Sequence, residues 1–289
     1  MGVKISSNID GRYDIALHIT KIKDKVKSDK NVIRLNGIIH NTKQAYKKMN
    51  DVIKQSTDKA DAFIFQSKFS QLMFEKYIRS YEKPKAVICN GSEIKNNNVH
   101  TDPDFRYNFL AFSRWRPHKR LKSIIKSFIV ADIKDACLLV AGDLDECGIQ
   151  KNKMKKYFSN PNIKYLGVLS YDDIKRYLAL SNAVIHLCWI DWCPNSVVES
   201  VCAGKTVICN NVGGTHEIVK PSNGIVCDID EDYDLEPVDL YSPPKINTNI
   251  VADAIVKSVE EPVKISNDHV NINSVAKQYK CFLDTVMGI

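Results

Sequence analysis

The sequence predicts an α/β protein built of two doubly wound, Rossmann-like units, the first of them abbreviated. Three observations predict this. Runs such as CLLVAG (137–142), AVIHLCWI (183–190) and TVICN (206–210) are continuously apolar, as parallel strands buried on both faces are. Between such runs lie helical patterns: Leu121, Ile124, Ile125 and Phe128 fall at i, i+3, i+4 and i+7. A length of 289 residues allows two separate cores, and 44% apolar with 26% charged residues excludes a disordered chain.

In chain order, YDIALHI, NVIRLNGI, DAFIFQS and AVICN read as strands of the first unit, residues 1–95. TKQAYKKMNDVIKQS and KFSQLMFEKYIRSY read as its helices. NGSEIKNNNVHTDPD (90–104), polar and holding Gly91 and Pro103, reads as the linker. The second unit, residues 105–270, opens with NFLAFS and the helix LKSIIKSFIV. CLLVAG precedes a basic helical stretch around Lys151 to Phe158. NIKYLG precedes YDDIKRYLALS, with Ser170 as its N-cap. AVIHLCWI, TVICN and GIVCDI follow, separated by short helices. The acidic, Pro-rich stretch 230–247 reads as an exposed excursion. Helical patterns near 249–259 and 271–286 close the chain, the latter within a terminal segment, 271–289.

A net charge of +7 points to anionic partners without choosing among phosphate ligands, nucleic acid and acidic lipid. Nine cysteines show no CxxC spacing, which argues against zinc, and several stand in strands as small hydrophobes. The odd count, and an N-terminus without a signal-peptide pattern, favour a reducing, cytoplasmic compartment, peripheral to a membrane at most. No apolar run approaches the roughly 20 residues of a membrane span.

Ligands of open α/β sheets bind beyond the carboxyl ends of the strands, so the strand-to-helix junctions matter most. At SRWRPHKRLK (113–122), Arg114 is expected to end a strand and Lys119 to open a helix. Pro117 is expected to keep the loop non-helical, and Arg120 and Lys122 to face solvent. Two cations beside helix N–H groups form a phosphate receptor, although a solvated basic loop or a nucleic-acid patch would carry the same residues. At DWCPNSVVE (191–199), Ser196 and Glu199 form a capping-box pattern, and Gly204 suits the C′ position. Capping leaves Asp191 unexplained. It also leaves Gly213 and Gly214 of VGGTHE, where the backbone is free to be approached closely.

With these residues in place, the chain resembles the retaining glycosyltransferases of the GT-B fold, family GT4, marked by an acid-x7-acid motif. The resemblance covers 105–289 and, less completely, 10–95. AVICNGSEI resembles the segment between the domains, FSRWRPHKRLKSIIKSF the donor-diphosphate stretch, and DWCPNSVVE the acid-x7-acid segment. AGKTVICNNVGGTHEIV resembles the usual continuation, and VAKQYKCFLDTV the helix that crosses back onto the first domain. Here Asp191 stands where the family usually has Glu, and Trp192, Cys193 and Pro194 replace a Gly-aromatic-Gly. The first half lacks the family's Gly-rich first loop.

The resemblance implies transfer of a sugar from a UDP- or GDP-sugar donor to a glycan, lipid-linked or protein acceptor. It implies retention of configuration and neither metal nor cofactor. Arg114 and Lys119 would grip the diphosphate, aided by the helix start at Ser196 and Val197. Glu199 would hold the ribose hydroxyls, Asp191 a sugar hydroxyl, and Gly213 and Gly214 would border the donor. His18 is the candidate for the family's catalytic histidine. DLDE (143–146) reads as a solvated acidic loop. An abbreviated first domain implies completion by a partner, self-association being favoured. The rival reading is a sugar-nucleotide-binding scaffold without turnover. Nucleic-acid binding is not expected, because RWRPHKR has only Trp115 interleaved.

Overall fold

The computed structural model describes residues 11–23, 25–95, 104–229 and 233–289. Most of the expected linker, including Pro103, and the start of the acidic excursion lie outside the described residues.

The first sheet holds β1 (Arg12–Ile19), β2 (Lys27–Leu35), β3 (Ala62–Phe65) and β4 (Lys85–Val87). They are parallel and lie in sequence order. Helices α1 (Tyr46–Asp58) and α2 (Lys68–Tyr77) connect β2 to β3 and β3 to β4. Strand alternation divides the side chains between two cores. Ile33, Leu35, Phe63 and Phe65 pack under the helices with Ile53, Met73 and Phe74. Val32, Ala62 and Ile64 point to the opposite face.

The second sheet is also parallel and is ordered β10-β9-β8-β5-β6-β7. Its strands are β5 (Tyr107–Phe112), β6 (Ala136–Ala141), β7 (Ile163–Tyr165), β8 (Ala183–His186), β9 (Thr206–Asn210) and β10 (Ile225–Cys227). The chain begins in the middle, winds outward to β7, then crosses to β8 beside β5. The switch between β5 and β8 opens a crevice at their carboxyl ends. Helices α3 (Leu121–Ala131) and α8 (Thr248–Glu260) cover one face. The other is covered by α5 (Tyr171–Leu180), α6 (Asn195–Cys202) and α7 (Thr215–Val219), while α4 (Lys151–Phe158) lies beside β7. Ser170 caps α5 by accepting from the Asp173 amide at 3.2 Å. Gly204, at φ 72°, follows the C-cap of α6 as expected.

After the second sheet, α9 (Ile272–Met287) returns to the first. Its Val275, Tyr279, Phe282 and Leu283 pack on Val32, Ala62 and Ile64, covering the face that α1 and α2 leave open.

Three local expectations are corrected. Pro117 opens a 3-10 turn, Pro117–Lys119, because its fixed φ suits a first helical position. Arg120 adopts a left-handed conformation, φ 51°, which turns its side chain inward to only 4% exposure. Ser196 is not an N-cap: α6 starts at Asn195 behind Pro194, with no side-chain cap.

Candidate functional site

The carboxyl ends of β5 and β8 carry the loops that make the site. Lys119, in the turn after β5, reaches Asp191, in the loop after β8, and its Nζ donates to Asp191 Oδ2. Both side chains are largely shielded from water, at 16% and 18% exposure. Burial opposes charge on Lys119, but Cys188 and Asp191 beside it more than compensate, so its pKa is raised. Burial likewise opposes charge on Asp191; Lys119 outweighs it and holds the carboxyl below its ordinary range. Both groups are therefore ionised at neutral pH.

Three buried histidines surround the pair. Burial, then the Lys119 charge, lowers the pKa of His186 to about 3 and that of His118 to about 4. His40, after β2, is lowered to about 4 by burial. His186 Nε2 lies 4.0 Å from Asp191 Oδ2. All three stay neutral at pH 7, so Lys119 has no competing cation inside the cluster.

His186, Cys188 and Asp191 have potential ligand atoms within 4.8 Å of one another. They do not fit a metal ion. The Lys119 ammonium bonds to both Asp191 and Cys188, and burial pushes the Cys188 thiol up to about 12, away from the thiolate a metal needs.

Two cavities meet at this pair. One, of about 630 Å³, lies over the second sheet and is lined by Arg114, Lys119, Asp143, Asp191, Ser196 and Glu199. The other, of about 890 Å³, lies between the sheets and is lined by Arg34, Asn90, Asp191, Trp192, Asn195 and Glu199 among others. Asp191, Pro194, Asn195 and Glu199 border both. Burial raises the Glu199 pKa. Its carboxylate makes no hydrogen bond or ion pair among the described residues, so it serves no capping box. Ser196 Oγ instead lies 3.4 Å from His186 Nδ1.

The remaining expected residues fall elsewhere. Val197 is fully buried, and its amide already donates to the Pro194 carbonyl at 3.0 Å, so it offers a ligand nothing. Gly213 and Gly214 approach protein backbone and line neither cavity. A Cβ on Gly213 would come 2.7 Å from the Asp191 carbonyl oxygen, and one on Gly214 2.0 Å from that of Trp192. The glycines thus let the 191–192 loop lie flat on β9's exit, where the Gly214 amide donates to the Asp191 carbonyl at 2.7 Å. His18 is not brought to the site. Its Nε2 lies 2.8 Å from Asn31 Oδ1 and it lines neither cavity. The DLDE segment is more than a solvated loop: Asp143 lines the smaller cavity, and Glu146 pairs with Arg116 at 3.0 Å and Arg114 at 4.0 Å.

Sequence reasoning missed His40, His118 and His186, although HLCW and RPHK place two of them beside the motif residues. It also missed how the loop is braced. Trp192 stacks on Phe69 at 5.2 Å, stands edge-on to His40 at 4.9 Å, and covers Gly37. Glu217 accepts from the amides of Lys68 and Phe69 at 2.7 and 2.8 Å, capping α2 from the second domain.

Residues 93–236 match the family model described as glycosyl transferases group 1. No curated protein sequence matches significantly. Solved structures align over nearly the whole chain at low identity. Sucrose-phosphate synthase from Thermosynechococcus elongatus has a TM-score of 0.66 and 14% identity, covering 90% of this chain and 69% of that one. HepE of Anabaena, in complex with UDP, has a TM-score of 0.67 and 19% identity, covering 89% and 72%. The pneumococcal O-GlcNAc transferase GtfA, in complex with UDP and GlcNAc, has a TM-score of 0.64 and 10% identity, covering 89% and 53%.

Proposed function

We propose that this chain, whose fold is of the group 1, GT-B glycosyltransferase class, transfers a sugar from a nucleoside diphosphate with retention and without a metal, in the manner of family GT4. The observation that carries the reading is the Lys119–Asp191 pair at the meeting of the two cavities, with the unpartnered Glu199 beside it. The smaller cavity carries the charged side chains a donor would need on a largely apolar wall. Arg114 and Lys119 meet the diphosphate, Glu199 is placed to accept from ribose hydroxyls, and Asp191 from a sugar hydroxyl. UDP in the HepE and GtfA complexes supports a UDP-sugar over a GDP-sugar.

In the reaction the bond between C1 and the diphosphate oxygen breaks, and negative charge grows on the departing group. Lys119 and Arg114 stabilise that charge from fixed positions, with the start of α6 at Asn195 and Ser196 adding its partial positive charge. The acceptor oxygen bonds to C1 on the face the diphosphate leaves, and its proton passes to the diphosphate oxygen. The built-in ammonium does the work a divalent cation does elsewhere, which supports metal independence. Asp191, held ionised by Lys119, steadies positive charge developing at the sugar ring. The acceptor enters from the larger cavity. Leu17 and Ile19 stand exposed on β1, which has no strand on its outer side among the described residues, and this supports self-association there.

Hydrolysis of UDP-glucose, whose glucose is α-linked, tests the reading when followed by NMR in EDTA. Retention gives α-glucose as the first sugar released. First release of the β anomer, or no release of any sugar from a panel of UDP- and GDP-sugars, contradicts it.

A further inference from the structure

The larger cavity contains a cation that the donor chemistry does not use. Arg34, at the end of β2, lines it and is held by three neutral groups. Its Nε donates to the Tyr279 hydroxyl at 2.8 Å, and its terminal nitrogens donate to Asn36 Oδ1 and Asn90 Oδ1. Asn90 is itself fixed, accepting from Gln66 Nε2 at 2.8 Å and donating to Asn195 Oδ1 at 2.6 Å. No carboxylate pairs with Arg34 among the described residues.

A guanidinium carries five N–H donors in a planar fork. Three are engaged here, which leaves one on each terminal nitrogen. Two parallel N–H groups match two oxygens of a carboxylate or phosphate. The three anchors also fix the side chain before any ligand arrives, so little rotamer entropy is lost on binding. The surrounding wall has amides from Asn36, Gln66 and Asn195, which pair with hydroxyls, the ring of Trp192, and the carboxylates of Glu93, Asp191 and Glu199, so Arg34 is the place in this cavity for an anionic group.

We propose that this cleft takes an acidic acceptor: a sugar or glycan whose carboxylate or phosphate sits on Arg34 while a hydroxyl is presented toward Asp191. This rests on the transfer reading and names the class of substrate for its second cavity. Arg34 does not line the donor cavity, and Arg114 and Lys119 do not line this one.

The test uses UDP-saturated protein titrated with D-glucuronate, D-glucose 6-phosphate and D-glucose, binding being read by saturation-transfer NMR. At least one anionic sugar should bind about tenfold or more tightly than glucose, the value of one charged hydrogen-bonded pair. Which of the two does so distinguishes carboxylate from phosphate. Arg34→Gln should reduce the preference to under about threefold while UDP affinity changes by less than about twofold. Tyr279→Phe, which removes one anchor and keeps the charge, should weaken the preference without unfolding the protein, so the result does not depend on how Arg34→Gln folds. Equal binding of all three sugars, or of none, overturns the proposal. So does a loss of UDP affinity in Arg34→Gln as large as in Lys119→Ala, which would make Arg34 a donor-phosphate group. A wild-type protein that ignores UDP but prefers an anionic sugar through Arg34 would keep the anion site and remove the transferase reading.

Discussion

Lys119 is paired with Asp191 in the structure, and in the proposed reaction the same ammonium would turn to the donor's diphosphate. Its neighbours in the basic run divide sharply in consequence. Lys119→Ala and Arg114→Ala should each weaken nucleotide binding by about 1.5–3 kcal/mol, measured by calorimetry. Lys122→Ala, on the exposed side of α3, should change little. Arg120→Ala should lower the melting temperature and leave nucleotide affinity nearly unaltered, because Arg120 is buried and reaches the Pro244 carbonyl. Equal losses of affinity at all four positions would mean a diffuse basic patch. RWRPHKR showed the charges but not which faced inward, since the left-handed turn at Arg120 is a backbone event with no Gly or Asn to signal it. The histidine cluster gives a pH dependence with a definite sign. His186, His118 and His40 have folded pKa values of about 3 to 4, below the ordinary 6.5. The unfolded chain thus binds more protons below pH 6.5. Stability should fall as pH drops from 6.5 toward 4, by on the order of 1–2 kcal/mol per histidine at pH 5. Thermal melts between pH 7 and 4.5 check this; a flat profile would mean the histidines are not buried neutral.

Helix α6 shows where an element's sequence pattern has two readings. SVVE has the spacing of a capping box, but Pro194 already provides the non-helical entry, so the helix begins one residue before Ser196 and Glu199 is left free. Glu199→Gln should leave stability within about 0.5 kcal/mol of wild type and reduce nucleotide affinity about tenfold or more. A drop in melting temperature with affinity intact would restore capping. The cap that does matter comes from outside its own element. Glu217 meets the amide ends of α2, and Glu217→Ala should cost about 0.5–2 kcal/mol and speed hydrogen exchange at Lys68 and Phe69. Unchanged exchange there would show that the contact contributes nothing. Nothing in VGGTHEIV announces a partner 149 residues away, because periodicity describes an element's own face and not what docks on it.

At the scale of the whole molecule, continuous apolar strands and amphipathic helices made both parallel sheets legible. Helix α9, whose VAKQYKCFLDTV resembles a returning helix, packs on Val32, Ala62 and Ile64 of the first sheet. The cleft between the sheets was not legible, since it depends on Trp192 meeting Phe69 and His40, and on Arg34 meeting Tyr279. β1 has no strand on its outer side among the described residues, and with Leu17 and Ile19 exposed the proposed self-association there should produce a dimer or larger species in sedimentation at micromolar concentration. A monomer with full transfer activity would show that the short first sheet suffices alone. In the proposed reaction an ammonium and a guanidinium, not a metal, hold the donor's diphosphate. Calorimetric titration of UDP in the presence of EDTA tests this most directly. Unimpaired binding is expected of the wild-type protein and a loss of about tenfold or more in Lys119→Ala. Binding that requires added Mn²⁺ or Mg²⁺, or that survives Lys119→Ala intact, would contradict it.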